Sequence, residues 1–125
     1  MEKWKNIEIL IVEDDEDNLN FLRLLLEKQG ASVLIARSGE DAIKKVKDHE
    51  TIRIVLMDIR LPYIDGLEAT QKIKILKPNL PIIAQTAHAI YNDKEICLKN
   101  GCDDYITKPL DRTILYEKIN SYIYN

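Results

Sequence analysis

Cysteine, glycine, proline and large aromatic residues are all scarce in this chain of 125 residues, and each scarcity excludes something. The two cysteines, Cys97 and Cys102, are too few for a disulfide framework and lack partners at zinc-site spacing. They read as buried or half-buried thiols in a reducing cytosol. Four glycines and four prolines leave no low-complexity tract and no linker. No apolar run approaches the roughly 18 residues of a membrane span. The N-terminus, Met1-Glu-Lys-Trp-Lys-Asn6, lacks the apolar core of a secretory signal. Neither sign of charge dominates, with 18 Lys+Arg against 21 Asp+Glu and a net charge of −3. That balance gives no general attraction to nucleic acid phosphates.

What is present is 46% apolar and 31% charged residues in a length that suits one domain. A chain of this size buries roughly two thirds of its unfolded surface and needs no covalent or metal staple. One local oddity stands out: Glu13 to Asp17 are five consecutive acids.

Apolar runs alternate with segments of helical period. The runs are 7–12, 31–36, 54–57, 81–85 and a shorter 104–107. Being apolar at successive positions, they suit strands covered on both faces, as in a parallel sheet. The segment 18–29 carries Leu19, Phe21, Leu22, Leu25 and Leu26 and stops at Gly30. Ser38-Gly-Glu-Asp41 reads as a capping box before Ala42, Ile43 and Val46. Asp65 caps a third helix with a stripe of Ala69, Ile73 and Leu76 ending before Pro78. A fourth, over 91–100, has only Ile96, Cys97 and Leu98 as apolar body residues, so its core contact is slight. Asp111 caps a fifth with Leu115, Ile119, Tyr122 and Ile123 on one face. Five strand–helix repeats with right-handed crossovers make a three-layer, doubly wound α/β domain over 1–125, with its core over about 7–123. Residues 1–6 read as a tail or the end of a linker.

In open parallel sheets, functional groups gather beyond the carboxyl ends of the strands. Here those ends are Glu13-Asp14-Asp15, Asp58, Thr86 and Thr107-Lys108-Pro109, and all belong on one rim. Three carboxylates together need a compensating charge. A hard divalent cation such as Mg²⁺ (or Mn²⁺) supplies it while keeping waters that a phosphate replaces. Lys108 adds a compact positive charge, and Thr86 a hydroxyl donor. Carboxylate nucleophile, cation, ammonium and hydroxyl together suit phosphoryl transfer onto an aspartate. Taken singly, each residue has an ordinary explanation: a helix-start acid, a polar strand end, a turn hydroxyl, a solvated lysine. For Glu16 and Asp17 the helix-start explanation is the better one. The case rests on joint placement.

The motifs carrying a family resemblance are Ile-Leu-Ile-Val-Glu-Asp-Asp-Glu-Asp-Asn at 9–18, Leu-Met-Asp-Ile-Arg-Leu-Pro-Tyr-Ile-Asp-Gly at 56–66, Gln-Thr-Ala-His-Ala at 85–89 and Asp-Tyr-Ile-Thr-Lys-Pro at 104–109. In this order and spacing the chain resembles the receiver domain of two-component response regulators, from about Ile7 to Tyr122. The resemblance implies a flavodoxin-like (βα)5 fold with strand order 2-1-3-4-5. It implies that Asp58 is the phosphoacceptor, attacking a phosphohistidine of a histidine kinase or histidine phosphotransfer domain. It implies that Asp14, Asp58 and the backbone carbonyl of Arg60 hold Mg²⁺, with Glu13 acting directly or through water. Lys108 would hold the phosphoryl group, Thr86 would close on it, and Tyr105 would be the switch aromatic. The Lys108–Pro109 peptide would be cis, although sequence alone favours trans.

Glu13, one methylene longer than the more usual Asp, departs from the pattern. Arg60 and His88 lie two residues beyond the acceptor and the threonine. In similar domains those positions govern how water reaches the acyl phosphate, and bulky side chains there predict slow self-dephosphorylation. The resemblance further implies output through the face of helix four, strand five and helix five, as a homodimer or a docked protein partner. Tyr91, Tyr116 or Tyr124 could serve that contact. Donor docking would fall on the first helix. The expected setting is cytoplasmic, without direct nucleic acid or membrane contact. The chain itself is expected to be a phosphoacceptor and not an enzyme.

Competing readings are a Mg²⁺-dependent aspartyl-phosphate phosphohydrolase, a flavodoxin-like electron carrier and a degenerate receiver that binds partners without phosphorylation. The first needs an Asp where Arg60 stands, and a cap domain. The second needs a Gly/Ser/Thr-rich phosphate loop where the acid run stands. The third fits poorly with a complete set of site residues. Stand-alone shuttle or part of a hybrid sensor kinase are both open, and the lead-in with Gln85-Thr-Ala-His-Ala89 looks more like the latter.

Overall fold

The computed structural model describes residues 3–87 and 93–124. Five strands, β1 (Glu8–Val12), β2 (Ser32–Ala36), β3 (Ile52–Asp58), β4 (Ile82–Thr86) and β5 (Asp104–Thr107), alternate with five helices. The helices are α1 (Glu16–Lys28), α2 (Gly39–Asp48), α3 (Gly66–Leu76), α4 (Asp93–Lys99) and α5 (Arg112–Ile123). The strands pair in parallel in the order β2-β1-β3-β4-β5. The three-layer, doubly wound architecture is the one the strand–helix repeats imply, and the flavodoxin-like strand order is the one the family resemblance implies.

Side-chain alternation along each strand divides the core in two. Ile9, Ile11, Ile54, Leu56, Ile83 and Ile106 face α1 and α5. Leu10, Val12, Val55, Met57, Ile82 and Ala84 face the layer of α2, α3 and α4. Four helices begin on a side-chain cap: Asp15, Ser38, Asp65 and Asp111 each accept a backbone N–H three residues on. The capping box at Ser38 is only half formed, because the Asp41 carboxylate pairs with Lys45 at 2.7 Å instead of reaching back. Gly30 follows the end of α1 at φ 91°, where a Cβ would be strained.

Several sequence expectations change. Residues 3–6, read as part of a tail or linker, pack on the fold: Trp4 is fully buried among the α1/α5 residues, and Ile7 is buried with it. Its indole N–H donates to Asn120 Oδ1 at 2.7 Å, and its ring meets Tyr116 edge-on at 5.2 Å. One aromatic in a polar hexapeptide carries no periodicity, so its burial was invisible in the sequence. In α1, Phe21 faces solvent, and α3 buries Ala69, Thr70 and Ile73 but exposes Leu76. Pairing makes β3 longer than its apolar run, from Ile52 to the acid Asp58. Helix α4 buries only Cys97, in keeping with the weak stripe, and both cysteines are free and buried.

Gly66 ties the fold to the rim. A Cβ there would lie 2.2 Å from the Asp58 carbonyl oxygen and 2.5 Å from Ile59 Cα. Both are backbone atoms that cannot swing away. Gly66→Ala is expected to cost about 1–3 kcal/mol in urea unfolding. It should also weaken divalent-ion binding, because the strand end it displaces carries Asp58. An unchanged midpoint would contradict this.

Candidate functional site

The strand ends bring the predicted rim residues together. Glu13 and Asp58 follow Ile11 and Leu56 in alternation, and Gln85 and Lys108 follow Ile83 and Ile106. These four therefore line the α1/α5 side of the rim. By the same rule Asp14, Thr86 and Tyr105 belong to the other side.

Glu13 is fully buried and Asp58 nearly so, at 0% and 4% exposure, whereas Asp14 is exposed. One carboxylate oxygen from each of Glu13, Asp14 and Asp58 lies within 4.8 Å of the others. Lys108 Nζ stands 3.5 Å from Glu13 Oε1 and 3.7 Å from Asp58 Oδ2, a single cation serving two buried acids. The backbone N–H of Arg60 donates to Asp58 Oδ1 at 3.0 Å.

That compensation is incomplete. Burial, and then the neighbouring Glu13, push the Asp58 carboxyl up to about 7 against the pull of the Arg60 N–H and Lys108. Oxygen-only donors this close, short of positive charge, suit a small hard cation. Glu13, Asp14 and Asp58 are the side chains that would hold it.

Thr86 is buried, and its hydroxyl donates to Asp93 Oδ2 at the start of α4. The Thr86 carbonyl accepts the Lys108 N–H at 2.8 Å, which couples the ends of β4 and β5. The Lys108–Pro109 peptide is cis. Tyr105 is half-buried on the edge strand β5, with Lys118 Nζ 4.9 Å and Lys94 Nζ 5.8 Å from its ring centre. The Arg60 side chain is exposed. His88 and Tyr91 lie outside the described residues.

The acid run divides by role. Asp15 caps α1, while Glu16 pairs with Arg37 across the surface. Three residues carry more of the site than the sequence suggested: Asn18, Gln85 and Asp93. Asn18 Nδ2 donates to Glu13 Oε1, and to Gln85 Oε1 at 3.3 Å. A glutamine closing the otherwise apolar run Pro81-Ile-Ile-Ala-Gln85 was the signal available for Gln85. Asp93 gave none, because acids at a helix start are common.

The response regulator receiver domain family matches residues 9–120. Hybrid signal transduction histidine kinase I of Dictyostelium discoideum is 41% identical over 123 residues, covering 92% of this chain and 7% of that protein. The polar-differentiation response regulator DivK of Brucella ovis is 38% identical over 117 residues, covering 92% of this chain and 94% of that one. Among solved structures, the receiver domain of the sensor histidine kinase PA1611 of Pseudomonas aeruginosa is 35% identical at a TM-score of 0.89. It covers 95% of this chain and 98% of that one, and has a magnesium ion coordinated in its active-site cleft. The Saccharomyces cerevisiae receiver domain of Ssk1, in complex with the histidine phosphotransfer protein Ypd1, is 30% identical at a TM-score of 0.89, over 97% and 91% of the two chains.

Proposed function

We propose, because the chain belongs to the response regulator receiver domain family of two-component signalling, that Asp58 accepts a phosphoryl group from a phosphohistidine on a histidine kinase or histidine phosphotransfer partner. The observation that carries this reading is the set of three carboxylates within 4.8 Å of one another beside Lys108. A carboxylate oxygen of Asp58 attacks phosphorus, the P–O bond forms as the P–N bond breaks, and the imidazole leaves with the electron pair and takes a proton from solvent. Mg²⁺ held by Glu13, Asp14 and Asp58 would supply charge neutralisation for the transferring group. The Arg60 carbonyl is proposed as a further ligand.

The residues of the chain do the rest. Lys108, already between two carboxylates, pairs with a phosphoryl oxygen. Thr86 leaves Asp93 and donates to a second oxygen. The added charge of about −1.5 to −2 then reorders the helix that Thr86 was holding. With a single buried side chain, α4 is the element most readily biased, and Tyr105 moves with it. We infer that the α4, β5 and α5 face carries dimerisation or partner docking, with Tyr116 and Tyr124 as candidate contacts, and that α1 receives the donor. Tyr116 is committed in part to the core, since its hydroxyl bonds the Leu25 carbonyl at 2.9 Å.

No helix among the described residues is long and apolar enough to cross a membrane. A cytoplasmic setting, and a role as phosphoacceptor instead of turnover enzyme, belong to this proposal. The phosphohydrolase alternative stays disfavoured by Arg60 at the general-acid position.

The direct test is transfer from a phosphorylated histidine phosphotransfer protein. Label is expected to move to the chain with Mg²⁺ and to stop on chelation; transfer that continues in excess chelator contradicts the reading. The same assay follows formation and decay. Arg60→Ala and His88→Ala are expected to shorten the phosphoryl lifetime by admitting water, and unchanged decay sinks the shielding role. Asp93→Ala removes one partner of the Thr86 hydroxyl and is expected to speed phosphorylation severalfold; an unchanged rate removes Asp93 from the switch.

A further inference from the structure

A carboxylate only accepts hydrogen bonds, so the amide that bonds Glu13 must present its nitrogen. Asn18 does so, which settles which way round its side chain sits. The same Nδ2 donates to Gln85 Oε1 at 3.3 Å, so Gln85 is oriented in turn, its carbonyl toward Asn18 and its nitrogen away. Exchanging O and N on Gln85 would set N–H against N–H. Turning both amides would set Asn18 Oδ1 against the Glu13 carboxylate. The chain of polarity therefore runs one way, and it ends in a donor.

That donor, Gln85 Nε2, is buried without a hydrogen-bond partner among the described residues. A buried unpaired amide nitrogen is costly, at about 1–3 kcal/mol. Gln85 is 1% exposed and is the register partner of Asp58 across the β3–β4 ladder, on the same side of the sheet. The open donor thus lies in the layer of the acids and not in the apolar core beneath them.

Glu13 itself needs holding, because its extra methylene adds a rotatable bond. Its Oε2 accepts the Asp15 N–H at 3.2 Å, while Oε1 is shared by Asn18 and Lys108. Asn18 is the neutral side-chain donor of this set, and Gln85 braces it by accepting from the same Nδ2.

We propose that Asn18 and Gln85 are positioning residues of the metal site: together they fix the Glu13 carboxylate, and Gln85 Nε2 is reserved for an oxygen that arrives with the hydrated ion. This rests on the receiver reading of the rim. Partners behind a ligand typically alter metal affinity by about 10–100-fold. A carboxylate held in one place also favours the small, geometrically strict Mg²⁺ over the larger Ca²⁺.

The experiment compares wild type, Asn18→Ala, Gln85→Leu and the double variant. Mg²⁺ and Ca²⁺ titrations are followed by calorimetry, with thermal midpoints measured without ions. Gln85→Leu is expected to raise the metal-free midpoint, since it removes the unpaired donor, yet to weaken Mg²⁺ binding about tenfold or more. Asn18→Ala should weaken it comparably, and the double variant little further, because the two act as one chain. The Mg²⁺/Ca²⁺ affinity ratio should fall in all three. Wild-type affinity and an unchanged ratio in a folded Gln85→Leu protein would make Gln85 an ordinary buried polar residue and overturn the proposal. If Gln85→Leu keeps Mg²⁺ but loses the phosphoryl analogue beryllofluoride, the assignment to the ion is overturned. A wild type that binds no Mg²⁺ overturns the receiver reading as well, which separates the two failures.

Discussion

Asp58→Asn is expected to abolish the phosphoryl-sized mass gain expected of the wild-type chain on incubation with Mg²⁺ and a small phosphodonor. The amide retains size and shape but has no anionic oxygen to attack phosphorus. Neither neighbouring acid substitutes: Glu13 is pinned by Asn18, Lys108 and the Asp15 N–H, and Asp14 is exposed to water. A gain of the same mass in the variant would move the acceptor elsewhere. Absence of any gain in the wild type would favour the phosphorylation-independent receiver.

The same substitution has a signature without any phosphodonor. Asp58 is pushed up to about 7 from an ordinary 3.8, so the folded state binds its proton more tightly than the unfolded chain does. Its contribution to stability is present in full below the ordinary value, and is lost as pH rises through about 7. Metal-free wild type should therefore lose stability relative to Asp58→Asn over this window, and be the less stable of the two at pH 8. Excess Mg²⁺ should close the gap, because ion binding favours the ionised carboxylates. Parallel stability profiles of the two proteins across the window without Mg²⁺ would contradict the assignment.

Trp4→Ala is expected to cost about 3–5 kcal/mol in urea unfolding, a large share of the 5–15 kcal/mol that domains of this kind possess. Three losses combine. A fully buried indole is replaced by a void, and Tyr116 loses its edge-on ring partner. Asn120 Oδ1 loses the donor that reaches it at 2.7 Å. Trp4→Phe should recover most of this and forfeit mainly the hydrogen bond, about 1 kcal/mol. Trp4 precedes β1, at the end of the sheet away from the acids. Mg²⁺ affinity of the folded variant should therefore be unchanged, unlike that of Gly66→Ala. A midpoint within about 0.5 kcal/mol of wild type would mean that the segment around Trp4 is not part of the core.

Much of this was legible in the sequence for definite physical reasons. Unbroken apolar runs such as Ile9-Leu-Ile-Val12 and Ile54-Val-Leu-Met57 require two covered faces, and that requirement alone yields the three layers. Asp65, Ser38 and Asp111 were readable as caps because their chemistry is local. The rim residues were readable because a strand end has one address in an open sheet. What escaped depends on contacts between distant segments. Trp4 meets Asn120 across 116 residues, and Asn18 meets Gln85 across 67. No local period records either pairing. Leu76 and Phe21 lie at the margins of their stripes, and how far a neighbouring layer reaches over a margin is not written in a helix's own period.

Successive residues on a strand face opposite sides, so Gln85 and Thr86 are one peptide apart but border different halves of the molecule. Strand β4 is in that respect a partition, with Glu13 and Asp58 in one compartment and α4 in the other. Helices α1 and α5 share the Glu13 side and α4 lies on the other, so the output face we propose, α4 with β5 and α5, wraps the β5 edge of the sheet and draws on both layers. A partner gripping both layers there would register any shift of one against the other.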